Sequence, residues 1–209
     1  MYQLLPSFVL GFHGCDRAVG EAVLAGDHLR SSENDWDWLG AGVYFWENSP
    51  HRALSYAQML RQLTKQTKGT IKDPFVIGAI IDPGLCLNLS DEGALFELRG
   101  AYEILAASVE DPMMLPRNVA GYSSDIDAIK RHLDCAVFET LHAWRENEAL
   151  SSYHTVRSPF QEGSSLYPGS GFNEKSHVQI CVRDPSHIKG YFRPLDANGK
   201  TFQHHNPSR

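Results

Sequence analysis

The sequence predicts an α+β fold around one substantial core. Two features of the pattern carry this reading: short runs rich in Val, Ile, Phe and Tyr lie toward both ends of the chain, and a largely helix-like middle separates them. The third is bulk. At 209 residues, with 42% hydrophobic and 21% charged content, the chain is long enough to bury one core in a single domain. That domain is placed at residues 1–195, with 196–209 as a polar tail.

Taken in order, residues 8–13 read as a short strand. Asp16 then stands where an N-cap is needed, its carboxylate accepting a hydrogen bond from an orphan backbone N–H of a helix reaching residue 25. Polar residues 31–37 form a loop. Residues 42–46 have strand composition, and Gly40 and Gly42 suit a turn or a close approach of backbone to a ligand. Ser49-Pro50 starts a helix, serine as N-cap and proline at the first position, where its missing N–H costs nothing; the helix is expected to continue to residue 65.

Residues 74–81 read as a buried strand ended by the turn Asp82-Pro83-Gly84. Residues 92–109 and 124–146 are helical in pattern, with Pro112 and Pro116 between them; 134–141 can alternatively be read as a strand. From 155 to 176 the chain turns rich in Gly, Ser and Pro, the composition of an exposed functional loop. Residues 177–183 and 188–193 are expected to be paired strands joined across Asp184-Pro185-Ser186.

A formal charge of −6 supplies no global basic field to gather nucleic acid or an anionic membrane, although a local patch can still do so. The cysteines at 15, 86, 135 and 181 form no Cys-x-x-Cys pair, and a chain of this size needs no disulfide staples. Residues 1–10 lack a positive n-region and a small-residue cleavage site, and no apolar run approaches the roughly 18 residues of a membrane span. A cytoplasmic protein with reduced thiols and no membrane partner is the expectation. Ten histidines, His204-His205 among them, show neither His-Glu-x-x-His nor zinc-site spacing, so no metal is expected.

The chemistry is concentrated in two segments: Phe12-His13-Gly14-Cys15, and Leu39-Gly40-Ala41-Gly42-Val43-Tyr44-Phe45-Trp46 running into the Ser49-capped helix and Tyr56. A histidine beside a glycine, then a Gly-x-Gly-aliphatic-Tyr-Phe strand and a capped helix, resembles the first two motifs of the poly(ADP-ribose) polymerase-like ADP-ribosyltransferases. The resemblance covers roughly the first and last quarters of the chain. It implies a split β-sheet core with helices packed around it, NAD+ as substrate and no metal. It also implies a His-Tyr-Glu signature, here His13, Tyr44 and Gln179.

By the same resemblance His13 holds the adenosine-side ribose, the Gly14 backbone meets the nicotinamide carboxamide, and Tyr44 stacks on the ring with Tyr56 as a second wall. A tyrosine face suits a positively charged aromatic ring, with a cation–π term on the order of 0.5–2 kcal/mol. The family's carboxamide-binding serine falls near Arg52 or Ala53 here, so Ser55 or Ser49 would have to substitute. Gln179 stands where polymerases carry glutamate. An amide can bond a ribose hydroxyl but takes no proton at neutral pH, so transfer of a single ADP-ribose unit is implied rather than chain growth. A second alignment gives the acid to Glu174, as a general base toward the acceptor. Arg157 is either a grip on a cofactor phosphate or a charge serving the fold, and residues 153–176, with Glu162 and Tyr167, occupy the place of the family's target-recognition loop.

Each residue alone has a plainer reading: His13 as a turn or buried hydrogen-bonding residue, Tyr44 as core, Gln179 as an ordinary strand amide. Their order and context favour the functional one. The expected activity is mono-ADP-ribosyl transfer through an oxocarbenium-like centre to a protein or nucleic-acid acceptor, in a toxin or defence effector that a neutralising antitoxin would hold in check. Two rivals are a noncatalytic NAD- or ADP-ribose-binding module, and a thiol hydrolase using Cys15 with His13 or His177 as base.

Overall fold

The computed structural model describes residues 7–62, 71–121, 127, 129–196 and 198–202, and these form an α+β structure. In chain order the elements are β1 (Val9–Asp16), α1 (Arg17–Leu24), β2 (Val43–Glu47), α2 (Pro50–Gln62), β3 (Pro74–Ile81), β4 (Cys86–Asn88) and α3 (Glu92–Ala107), followed by β5 (Asn118–Val119), β6 (Lys130–Arg131), α4 (His132–Asn147), β7 (Thr155–Phe160), β8 (His177–Val182) and β9 (Ile188–Phe192). The chain divides into two compact units. The first comprises Met1–Arg30, Phe45–Pro83 and Ser186–Arg209; the second comprises Ser31–Tyr44 and Gly84–Pro185.

In the first unit the strand order is β2-β1-β3-β9. β1 pairs antiparallel with β3 from Val9–Ile81 to Asp16–Pro74, and with β2 at Gly11–Glu47 and Phe12–Trp46. The near-continuous apolar run of β3 is what a strand covered on both faces requires. One cover is α1, whose Gly20 leaves room for Phe75 and Ile77; the other is α2, which approaches β1 so closely that a Cβ on Gly14 would collide with the Ala53 carbonyl. Phe12, Trp46, Ala53, Leu54 and Val76 form the core on the α2 side.

Both helix starts follow the sequence. Asp16 accepts from the Ala18 N–H at 3.0 Å, and its other oxygen accepts from the N–H groups of Lys72 at 2.7 Å and Asp73 at 3.1 Å. These bonds, the Asp73 one foremost, hold its carboxyl below the ordinary aspartate value. α2 begins at Pro50, and the Ala53 N–H donates to the Ser49 carbonyl at 3.2 Å. Its expected extension to residue 65 lies outside the described residues.

The expected pairing of 177–183 with 188–193 is corrected: β9 pairs antiparallel with β3, from Gly78–Phe192 to Ile81–Ile188. The Phe192 ring fills the space that any side chain at residue 78 would need, so Gly78 selects this partner. The expected tail begins with a turn rather than free chain, because Leu195 and Thr201 form a β-bridge; residues 203–209, with His204-His205, lie outside the described residues.

In the second unit β4, β7 and β8 run in that order toward the opening residues of β2, Val43 and Tyr44. β4 and β7 are parallel, Cys86–Thr155 to Asn88–Arg157; β7 and β8 are antiparallel, Thr155–Val182 to Phe160–His177. Thr155, Val156 and Ser158 are buried, so the start of the segment expected as exposed loop is instead an interior strand, and the loop is confined to 161–176. Its Gly, Ser and Pro content misled because Pro159 and Ser158 sit inside a strand whose other positions pack.

α4 resolves the alternative at 134–141 as helix. Cys135, Phe138 and His142 recur at helical spacing on its buried face with Val137 and Leu141. Its N-terminus has no cap from Arg131; Asn118 serves instead, accepting from the Leu133 N–H at 2.9 Å and donating to Asp134 at 2.8 Å. The helix expected over 124–146 is corrected at its start: it begins at His132, because Lys130–Arg131 pair with Asn118–Val119 as a strand, while residues 124–126 and 128 lie outside the described residues. α3 starts on Asp91, which accepts from the Ala94 N–H at 3.2 Å. Ala101 of α3 joins Val137, Phe138 and Leu141 of α4 against Leu39, Leu87, Val156 and Cys181 in one core. Among the described residues no helix is long and apolar enough to cross a membrane.

Candidate functional site

The structure places His13, Gly14, Ser55 and Tyr56 in the first unit, and Tyr44, Arg157, Glu174 and Gln179 in the second. Side chains alternate along a strand. His13 therefore faces away from Phe12 and Gly14, and its ring meets Phe45 edge-on at 5.9 Å between centroids. Gly14 is on the α2 side, and its lack of a side chain is demanded by the Ala53 carbonyl irrespective of any ligand.

Tyr56 packs on Trp46, with centroids 4.9 Å apart, on that same α2 side. The first unit thus sets His13 and Tyr56 on opposite faces of β1. Ser55 is exposed, and its hydroxyl donates to the His51 carbonyl one turn back at 2.9 Å. Cys15 is buried, and burial pushes its thiol up to about 12, the opposite direction from that needed by an activated thiolate nucleophile.

The Gly-x-Gly segment of the second unit is locked from several sides. Gly40 has φ of 77°, a left-handed conformation open to glycine. The Tyr44 hydroxyl turns back on it, donating to the Gly40 carbonyl at 2.6 Å and accepting from the Leu39 N–H at 2.8 Å. Desolvation drives the Tyr44 pKa far above the ordinary tyrosine value, so the phenol keeps its donor proton. Glu139 on α4 accepts from the Ala41 N–H at 3.0 Å, and a Cβ on Gly42 would stand 2.5 Å from Cys181 Sγ. No local sequence signal marks Glu139 as a partner of this segment, because it lies 98 residues from the Ala41 N–H it accepts.

On β8, Gln179 is buried and directly opposite Ser158 of β7; His177 and Cys181 share its face. His177 is the buried histidine of this face. Its Nδ1 lies 2.7 Å from the Lys175 carbonyl and 3.8 Å from the Glu162 carboxylate, itself buried. The second acid candidate, Glu174, is exposed on the loop, and its backbone N–H donates to the Ser164 carbonyl at 2.9 Å. Glu162, noted in the sequence only as a loop residue, is therefore the inward carboxylate of this loop. Arg157 reaches Asn88 Oδ1 at 3.2 Å and the Ser90 hydroxyl at 3.4 Å, contacts that tie β7 to the end of β4.

The first unit has a cavity of about 520 Å³ lined by Arg17, Leu54, Gln58, Asp73, Phe75, Phe202 and their neighbours, and none of its four candidate residues is among that lining. A cavity of the second unit is lined by Trp38, Leu39, Ser158 and Phe160 among others; Gln179, the cross-strand partner of Ser158, is not part of that lining.

No family model, no curated protein and no solved structure matches this chain.

Proposed function

We propose that the protein is an NAD+-dependent mono-ADP-ribosyltransferase, which breaks the nicotinamide–ribose bond and passes one ADP-ribose to a protein or nucleic-acid acceptor. One observation carries the reading: the His13-Gly14 pair lies within β1, which pairs with β2, and β2 runs straight into α2, whose Ala53 closes on Gly14. The strand of His13-Gly14, the Phe45–Glu47 part of β2 and the Ser49-started helix are thus consecutive parts of one strand–strand–helix arrangement within the first unit.

In this reading His13 binds a ribose hydroxyl and the Tyr44 ring packs on nicotinamide, its hydroxyl being committed to Gly40 and Leu39. Gln179 offers an amide to the second ribose. It adds no charge to an oxocarbenium-like centre, which is why one transfer and not polymer growth is assigned. Bond cleavage releases neutral nicotinamide; the acceptor nucleophile forms the new bond to the anomeric carbon and gives up one proton. The thiol-hydrolase alternative is disfavoured by the buried, high-pKa Cys15.

The test is incubation of the full chain with NAD+ labelled in its adenylate half, alone and with separate protein, RNA and DNA pools. Nicotinamide release with label in one pool is expected, and both are lost in His13→Ala. No release and no labelled pool would overturn the proposal, and NAD+ binding without release would leave the noncatalytic module in its place.

A further inference from the structure

The second unit carries a cavity of about 460 Å³, within the range of small-molecule sites, about 300–1,000 Å³. Its lining is apolar where α3 and α4 face it, through Leu95, Leu98, Val137 and Phe138. Trp38 and Phe160 make an aromatic wall, their centroids 4.8 Å apart, and the Trp38 indole is fixed by donation to the Ile129 carbonyl at 2.7 Å. None of the eight residues placed above as NAD+-site candidates, His13, Gly14, Tyr44, Ser55, Tyr56, Arg157, Glu174 and Gln179, lines this cavity.

The charged groups on the lining are Arg99, Arg131 and Asp134, two cations against one anion, leaving a single net positive charge. The Arg131 guanidinium lies 4.0 Å from the Trp38 ring centroid and 5.1 Å from that of Phe160. It offers Nη1 to Asp134 at 3.3 Å. Its Nε is buried and has no hydrogen-bond partner among the described residues. A buried donor left unmatched costs about 1–3 kcal/mol, and native proteins keep few of them.

We propose that this cavity binds a small molecule consisting of a flat aromatic ring that bears one carboxylate. The ring packs against Trp38, Phe160 and the leucines, where aromatic faces and aliphatic side chains both favour it. The carboxylate lies against the Arg131 guanidinium, a lining group whose Nη1 is shared with Asp134, in a charge-assisted hydrogen bond. One net positive charge matches one negative charge, so a monoanion fits where a doubly charged phosphate monoester would remain partly uncompensated.

The experiment is calorimetric titration of the full chain with 1-naphthoate, its neutral analogue 1-naphthamide, and cyclohexanecarboxylate. Naphthoate is expected to bind at least about tenfold more tightly than either, a difference of about 1.4 kcal/mol. Arg131→Met should erase the preference of naphthoate over naphthamide. Because Arg131 also contacts Asp134, Trp38 and Phe160, a second variant guards against misfolding: Leu95→Trp, at a half-exposed rim position, should close the cavity and abolish binding while circular dichroism stays unchanged. No heat with naphthoate up to about 1 mM, equal affinity for acid and amide, or full binding in a folded Leu95→Trp protein would each overturn the assignment.

Discussion

Replacing Tyr44 with phenylalanine removes one oxygen and separates the two jobs this residue is given. The ring, proposed to pack on nicotinamide, stays; the hydroxyl, which bridges the Gly40 carbonyl and the Leu39 N–H, goes. Both backbone groups belong to buried residues, so neither regains a water easily. The Leu39 N–H is left unmatched, at about 1–3 kcal/mol, while the Gly40 carbonyl keeps the weak Cys181 thiol donor at 3.7 Å, so a net loss of about 2 kcal/mol is expected. Urea unfolding followed by fluorescence reads this as a lower midpoint with an unchanged slope. Nicotinamide release below the melting range should fall by less than about tenfold, since the stacking face is intact. A stability change under about 0.5 kcal/mol would refute the structural role of the hydroxyl. Loss of all activity in a protein that remains folded would refute the assignment of function to the ring.

Three further outcomes follow from packing and burial. Gly14→Ala drives a methyl into the Ala53 carbonyl and should cost about 3 kcal/mol, the upper end for overpacking, whereas Gly100→Ala, in open space on α3, should stabilise by about 0.5–1 kcal/mol; thermal melts of the two compared with wild type check the contrast. His142 is buried beside Arg145 and Arg183, with neither ring nitrogen hydrogen-bonded among the described residues, and burial followed by the Arg183 charge lowers its pKa to about 3. The folded value lies below the unfolded one, so the unfolded chain takes up the proton first and stability falls as pH drops through about 6.5 toward 3; from pH 7.5 to 5 this amounts to about 2 kcal/mol. His142→Asn should remove that part of the slope in urea titrations, and an identical pH dependence in both proteins would exclude it. Finally, Cys15, with its thiol at about 12, should react with iodoacetamide at neutral pH far more slowly in the folded protein than in urea; equal rates in the two conditions would contradict its burial.

Local signals were legible where one residue decides a backbone choice. Asp16 caps α1 as its sequence position implied, Ser49-Pro50 opens α2, and the strand over 74–81 has the expected limits. These features depend on hydrogen bonds and dihedral preferences within a few residues. The misreadings arose where long-range packing chose between local options. Residues 134–141 carry both periods, and only the core with Ala101, Leu87 and Val156 makes them helical. Sequence proximity pairs β9 with the strand before it, but the cleft at Gly78 that receives Phe192 lies more than a hundred residues earlier in the chain.

The candidate site divides in the same way. The order of His13, the Gly-x-Gly-Val-Tyr-Phe segment and the capped helix is a property of the sequence, and it alone suggests NAD+ chemistry. Which way each side chain points is a property of the fold. Strand alternation turns His13 away from Gly14 and Tyr56, the Ala53 carbonyl explains why residue 14 has no side chain, and the Tyr44 hydroxyl is spent on holding its own turn.

By itself the sequence determined the class of fold, the starts of α1, α2 and α3 and the types of residue available for chemistry, because caps, turns and periodicity act over a few residues. Only the tertiary structure decided which strands pair, that Glu162 and not Glu174 is the inward carboxylate of its loop, and that Arg131 comes to rest over Trp38 and Phe160. Those outcomes depend on burial and on contacts between residues far apart in the chain, where the free energy of excluding water and filling space outweighs local preference.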